Sequence, residues 1–259
     1  MTSRFTIDGS DALEQRLAEL CLEAGRGLQQ RIPARCLEAV VLGGGYGRGE
    51  GGVLCTAAGE EPYNDMEFYV FLRGNELLNQ RRFGPAVHHF GEELSHRIGL
   101  EMEFKLLAPA KIERSPVTMF YYDLVSAHRL VCGNEAVLSK CGHQRAAHRI
   151  PLFETTRLLM NRCSGLLFAS ERLQRENFGP ADADFAGRNF AKAKLAFGDV
   201  VLAMHGQYHY SCRERHKRLG KLKSDPSLPS FKSLLSLHEQ GVEFKLKPRR
   251  DSRTAAEFR

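Results

Sequence analysis

Apolar positions in this chain follow two different periods, and the change from one to the other divides it. From Asp11 to Gln30 the spacing predicts an amphipathic helix, with Leu13, Leu17, Leu20 and Ile32 along one side and Asp11 with Glu14 resembling a capping box. Glu38–Gly43 reads as a first strand, Gly47–Gly52 as the start of a short helix, Ala57–Tyr63 as a polar loop and Asp65–Leu72 as a second strand. Pro85–Ile98 is predicted helical, with Val87, Phe90, Leu94 and Ile98 near helical spacing, and Leu100–Leu107 is a third strand closed by Pro109. Pro116–Ala127 is an aromatic helix, and Arg129–Asn134 a short strand and turn.

From Pro151 onward strand signals vanish. Leu152–Arg175 and Ala183–Tyr208 read as long helices separated by Gly179-Pro180, followed by shorter ones over Cys212–Lys223 and Ser230–Gln240 and a polar, loose tail from Lys247. The expected fold class is α+β: a small mixed sheet flanked by helices over residues 1–148, then an all-helical domain over 149–259.

The densest chemistry follows the first strand. Val40-Val41-Leu42 runs into Gly43-Gly44-Gly45-Tyr46-Gly47-Arg48-Gly49. Glycines after a strand let backbone amides approach an anion closely, and a following helix start adds its dipole. The stretch is not a Walker loop, because no Lys-Ser or Lys-Thr follows, and its glycine spacing does not match a dinucleotide fingerprint. Asp65 and Glu67 are two apart, so on a strand both project to one face; Glu101, Glu103 and Lys105 likewise share a face of the next strand. If those strands are neighbours, three carboxylates converge, and oxygen ligands of that kind suit Mg²⁺ or Mn²⁺. Two such ions can hold the attacking and leaving oxygens of an in-line displacement.

These residues resemble the nucleotidyltransferase superfamily, the DNA polymerase beta-like minimal fold, over roughly the first half of the chain. Gly44-Gly45-Tyr46-Gly47-Arg48-Gly49 is similar to its glycine-rich element and Asp65-Met66-Glu67 to its paired acidic element; Glu103 is chosen as the third carboxylate, with Glu101 in reserve. The resemblance implies that Asp65, Glu67 and Glu103 bind the metals, with Glu103 also a general base, and that Gly44, Gly45, Arg48 and Gly49 hold the phosphates of an NTP, expected to be ATP. It implies transfer of an NMP to an acceptor hydroxyl on a small molecule or protein, with release of pyrophosphate. Arg129–Asn134 is similar to the strand that closes the catalytic sheet in that superfamily. Gly45 stands where the pattern often has Ser, and Glu where Asp is commoner at the second and third carboxylates. Those departures define the alternative, a non-catalytic nucleotide-binding or antitoxin-like protein on the same fold.

Composition narrows the setting. The 259 residues are 42% hydrophobic and 26% charged, which predicts packed cores rather than disorder. No apolar run approaches the ~20 residues that span a bilayer, and Met1-Thr2-Ser3-Arg4-Phe5 lacks a signal-peptide core, so a cytoplasmic location is expected. The seven cysteines are odd in number and form no Cys-x-x-Cys pair, as expected for reduced thiols. Cys132, Cys141, His143 and His148 fit no common zinc spacing. His205, His209, Cys212 and His216 would form one stripe of a continuous helix, read here as a partly buried face.

The net charge of +6 gathers in Arg213–Arg218 with Lys221 and Lys223, and again at Lys245, Lys247, Arg249 and Arg250. That is modest, and without tryptophan or an aromatic-basic signature a nucleic-acid acceptor is not favoured. On the second long helix Arg188 and Lys192 share a face, making Lys192 a candidate contact to a triphosphate. Glu154, Arg157, Asn161 and Arg162 form a further polar group on the first long helix.

Overall fold

Strict alternation in two central strands decides how the first half folds. The computed structural model describes residues 4–63, 65–222 and 230–258, and the chain divides into two compact units, residues 1–146 and 147–259. In the first unit, β1 (Leu37–Leu42), β4 (Met66–Leu72), β5 (Met102–Leu107) and β6 (Arg129–Gly133) form a mixed sheet of order β5-β4-β1-β6. β1 is antiparallel to β4 and β6, while β4 and β5 are parallel. Val40 and Leu42 of β1, with Phe68, Val70 and Leu72 of β4, face α1 (Asp11–Arg31) and α3 (Glu76–Ile98), where Leu17, Leu28, Phe90 and Leu94 complete one core. Ala39, Val41, Tyr69 and Phe71 face the other way, onto α4 (Pro109–Arg114), α5 (Met119–Ser126) and the 3₁₀ segment Glu135–Arg145, through Ile112, Leu124, Val137 and Leu138. Glu67 therefore lies on the second face, in line with Tyr69 and Phe71.

Several local expectations are corrected. α1 is capped by Ser10, whose Oγ accepts from the Leu13 N–H at 3.3 Å. Glu14 instead accepts from the amides of Phe5 (2.6 Å) and Thr6 (2.9 Å), tying the preceding segment to the helix. α3 starts nine residues before Pro85, behind an Asn75 cap that accepts from the Leu78 N–H at 3.1 Å. Pro85 sits on its exposed side, and the buried stripe Phe83, Val87, Phe90 and Leu94 carries the helix past the hydrogen bond that proline removes. The expected polar loop is largely a hairpin of β2 (Val53–Thr56) and β3 (Gly59–Pro62), turning at Ala57-Ala58.

Among its described residues the second unit has helices and no strand: α6 (Leu152–Arg172), α7 (Pro180–Met204), α8 (Cys212–Lys221), α9 (Phe231–Leu246) and a last turn, α10 (Ala255–Phe258). The fold class is thus α+β, with a small mixed sheet and a helical C-terminal region. α7 buries Ala183, Ala186, Ala191, Ala193, Ala196 and Gly198, and such small residues let neighbouring helices approach closely. The tail is not loose over its whole length: Phe258 of α10 packs against Phe178 and Phe190. The His205–His216 stripe does not form, because α7 ends at Met204 and Gly206 turns the chain at φ +66°. Cys212 and His216 alone of that group lie on α8, and Lys223 falls outside the described residues. No described helix is long and apolar enough to cross a membrane.

Candidate functional site

The ladder between β1 and β4 runs one bond past β1, where the Gly43 N–H donates to the Glu67 carbonyl at 2.9 Å. A Cβ on Gly43 would lie 2.4 Å from Cε2 of Tyr69, and one on Gly44 would lie 2.4 Å from Oε2 of Glu67. Gly44 also has φ +60°, a conformation that side chains resist. Glycine here is thus what brings the turn against the carboxylate. A single turn follows, α2 (Gly44–Gly47), and Gly49 closes it at φ +74° with its N–H on the Tyr46 carbonyl. The turn uses the amides of Gly47, Arg48, Gly49 and Glu50 in its own bonds, while among the described hydrogen bonds those of Gly44 and Gly45 take no partner.

Two side chains fix this turn from below. Tyr46 is fully buried; its hydroxyl donates to the Gly52 carbonyl and accepts from the Tyr63 N–H, both at 2.9 Å. Sequence reasoning passed over Tyr46, although a lone aromatic among glycines marks an anchored turn. Arg48, with its side chain 11% exposed, pairs with Asp123 of α5 through Nη1 and Oδ2 at 3.1 Å. This contact braces the loop against α5.

The carboxylates meet because β4 and β5 are adjacent and parallel. Glu67 stands opposite Glu103 and Tyr69 opposite Lys105, and Asp65 immediately precedes β4. One oxygen each from Asp65, Glu67 and Glu103 lies within 4.8 Å of the others, the one group of three or more His, Cys, Asp or Glu side chains so close among the described residues. Glu101 is not in the group: it is exposed, precedes β5, and offers its carbonyl to the Met66 N–H at 2.9 Å.

Lys105 completes the cluster. Its Nζ lies 2.8 Å from Oε2 of Glu103, 3.8 Å from Oε1 of Glu67 and 5.8 Å from the centre of the Tyr69 ring. The sequence placed Lys105 on this face but assigned it no task. Burial, and then the charge of Asp65, raise the Glu67 carboxyl above the ordinary carboxylate range, against Lys105 and Arg48, which lower it. Burial draws the Lys105 ammonium down, but the hydrogen bond to Glu103 and the charges of Glu67, Glu103 and Asp65 outweigh it and hold the group above the usual lysine value. Burial and the same carboxylates hold Tyr69 neutral.

An all-oxygen donor set, partly open to solvent and with one carboxylate held against its neighbours' charge, fits a hard divalent cation such as Mg²⁺ or Mn²⁺. Asp65, Glu67 and Glu103 are the residues that would hold it.

Lys192 lies on the exposed side of α7, in the second unit rather than the one that carries the carboxylates. On the same helix Arg188 is held by Asp184 at 3.3 Å, and Lys194 donates to Gln240 at 2.8 Å. Glu154 is buried and accepts from Arg157 at 2.9 Å, within α6. The basic run on α8 is not one solvated face: Arg215 points inward and Arg218 is held by Glu214 at 3.0 Å.

The close fit of Gly44 to Glu67 gives a direct test. Gly44→Ala is expected to lose about 2–4 kcal/mol in chemical denaturation, ~1–2 from the left-handed backbone and the rest from the contact with Glu67. Gly74→Ala is the control: φ there is +91°, but nothing lies within 4 Å of the added Cβ, so only the backbone cost is expected. Equal losses in the two variants would show that Gly44 does not constrain Glu67.

No family model matches this chain, and no curated protein matches it. Among solved structures, one similar to it is spectinomycin adenyltransferase from Enterococcus faecialis, determined with ATP and spectinomycin. The two share 11% sequence identity over 85% of this chain and 89% of the other, at a TM-score of 0.39. So distant a likeness leaves function to the chemistry of the site.

Proposed function

We propose that this protein is a metal-dependent nucleotidyltransferase that moves the NMP of an NTP, ATP in the first instance, to a hydroxyl of a small-molecule or protein acceptor and releases pyrophosphate. The observation that carries the reading is the convergence of Asp65, Glu67 and Glu103 beside a glycine turn whose Gly44 and Gly45 amides take no partner among the described hydrogen bonds. Residues 1–148 are then the catalytic domain and 149–259 a helical accessory domain.

In this reading Asp65, Glu67 and Glu103 hold the divalent cation, whose contribution when bound is to offset charge on phosphate oxygens. The amides of Gly44 and Gly45 face the leaving phosphates, Gly49 closes the turn behind them, and Arg48 keeps it in place through Asp123. The acceptor oxygen attacks the α-phosphorus in line, the bond from that phosphorus to the bridging oxygen breaks, and pyrophosphate departs with the electron pair. Glu103, which lies 2.8 Å from Lys105 in the absence of metal, takes the acceptor's proton. Positioning and fixed charge supply most of what such a transfer requires.

A second reading has its own support: Lys105 already offsets part of the acidic charge, as a nucleotide-binding or antitoxin-like protein that never loads metal would need. The deciding experiment incubates the protein with each α-³²P-labelled NTP and Mg²⁺ or Mn²⁺ and measures pyrophosphate and labelled protein. Metal-dependent release supports the enzyme, and self-labelling points to a protein acceptor. NTP binding with no release across a panel of hydroxyl acceptors favours the binder; absence of both binding and release sinks the nucleotide assignment altogether.

A further inference from the structure

Lys105 is where the site departs from a bare set of metal ligands. A parallel register places it one alternate position beyond Glu103 on β5, opposite Tyr69, so Glu67, Glu103 and Lys105 occupy one patch of one sheet face. Its ammonium is hydrogen-bonded to Glu103, one of the three carboxylates assigned to the cation, and comes within 3.8 Å of Glu67, a second. The face of the Tyr69 ring lies beside it at 5.8 Å, and Tyr69 is itself fixed between Gly43 and Phe120, its ring centre 5.5 Å from that of Phe120. The ammonium is therefore steered toward the carboxylates by neighbours on more than one element.

We propose that Lys105 is the built-in counter-ion of this site, and that loading a divalent cation is an exchange in which the metal takes Glu103 from the Lys105 ammonium. The inference rests on the metal-site reading above and adds to it. Three carboxylate oxygens within 4.8 Å repel one another, and in the absence of metal a nearby positive charge offsets part of that repulsion. Lys105 does so from within the chain. The same ammonium then opposes an incoming cation twice, by occupying an oxygen of Glu103 and by like charge. A unit charge ~5 Å from a divalent ion in a largely water-like medium opposes it enough to weaken binding about tenfold. The high effective dielectric is the appropriate one, since the Lys105 and Glu103 side chains are about two-fifths exposed. The lysine stem is long and flexible, so the displaced ammonium remains beside the site and available to the phosphates of a nucleotide. Free metal is then held weakly, and the site is set to load when polyphosphate offers the ammonium a second partner.

The test titrates the full chain with Mn²⁺, followed by the loss of its free-ion electron-paramagnetic signal, for the natural protein, Lys105→Met and Lys105→Arg. Lys105→Met keeps most of the stem and removes the charge; Lys105→Arg keeps the charge. The expected result is about tenfold tighter Mn²⁺ binding in Lys105→Met and affinity within about threefold of the natural protein in Lys105→Arg. The metal-free melting temperature of Lys105→Met is expected to be lower, with a larger rise on adding Mn²⁺. Should Lys105→Met not fold, Lys105→Gln replaces it with the same expectation. Mn²⁺ binding by the natural protein with equal or weaker binding in the neutral variant overturns the exchange and leaves the metal site standing. No binding by either protein at millimolar Mn²⁺ overturns the metal site, and the exchange with it.

Discussion

Glu67→Gln is expected to cut the proposed nucleotidyl transfer sharply and, at the same time, to make the metal-free protein more stable. The two effects have one cause. Glu67 is held close to Asp65 and Glu103 with its carboxyl raised above the ordinary carboxylate range, first by burial and then by Asp65. A folded value above the unfolded one means that ionising Glu67 near neutral pH works against folding. That contribution is fully favourable only in acid and is lost as pH rises through the folded value. Glutamine keeps the shape and removes the charge, so both the burial cost and the repulsion from Asp65 fall away. The melting temperature of the metal-free protein should rise, by about 2–4 °C for each kcal/mol recovered. Activity should fall on the order of 10³-fold, the range expected when a fixed electrostatic stabiliser is removed from a preorganised site. A merely structural glutamate would show neither the gain in stability nor the loss of turnover. A variant that is less stable without metal would contradict the account of Glu67 as a destabilised ligand.

The strands that carry this cluster were legible in the sequence, but their meeting was not. The strands at β1, β4, β5 and β6 were legible to within two residues because apolar runs stop at glycine, proline or charge, and Asp65-Met66-Glu67 was legible as a same-face pair. Whether that pair meets Glu103 depends on β4 lying beside β5 in parallel register, a tertiary fact that no local period encodes. Lys105 was visible on the right face, but its contact with Glu103 follows from side-chain placement. The hairpin over β2 and β3 was hidden by Glu60 and Glu61, which give the segment a polar character while Val53 and Leu54 are buried. Pro85 masked the first two turns of α3, since proline is commoner at a helix start than inside one. In the second unit the histidine spacing suggested one helix, and a single glycine at position 206 breaks it. The basic run on α8 gave no sign that Arg215 is buried, because its partner, Asp199, lies sixteen residues earlier on α7.

That buried pair carries the largest stability effect expected in the chain. Asp199 of α7 places Oδ1 2.8 Å from Nε of Arg215 on α8 and 3.2 Å from Nε2 of His238 on α9. The three residues are 6%, 3% and 0% exposed, and Gly198 gives the His238 ring room, since a Cβ there would fall 2.3 Å from Cδ2. Arg215 also donates to the Tyr208 hydroxyl at 2.7 Å and the His209 carbonyl at 3.2 Å. The Nδ1 of His238 lies 3.3 Å from Nδ1 of His216, so the carboxylate of Asp199 heads a chain of polar groups across three helices. Arg162, lowered by burial, is raised in turn by the charge of Asp199. Asp199→Ala would take from the buried Arg215 guanidinium the carboxylate that lies 2.8 Å from it and is expected to cost about 3–5 kcal/mol. Against a total stability of about 5–15 kcal/mol, that is a large fraction of what holds a domain folded. The double variant Asp199→Leu, Arg215→Met separates charge from packing. If the cost arises from burying the guanidinium without Asp199, removing both partners restores much of what Asp199→Ala loses, as paired apolar replacements can. If instead the pair is needed to hold α7, α8 and α9 in place, the double variant is no more stable than the single one, and urea denaturation of the two side by side distinguishes these outcomes.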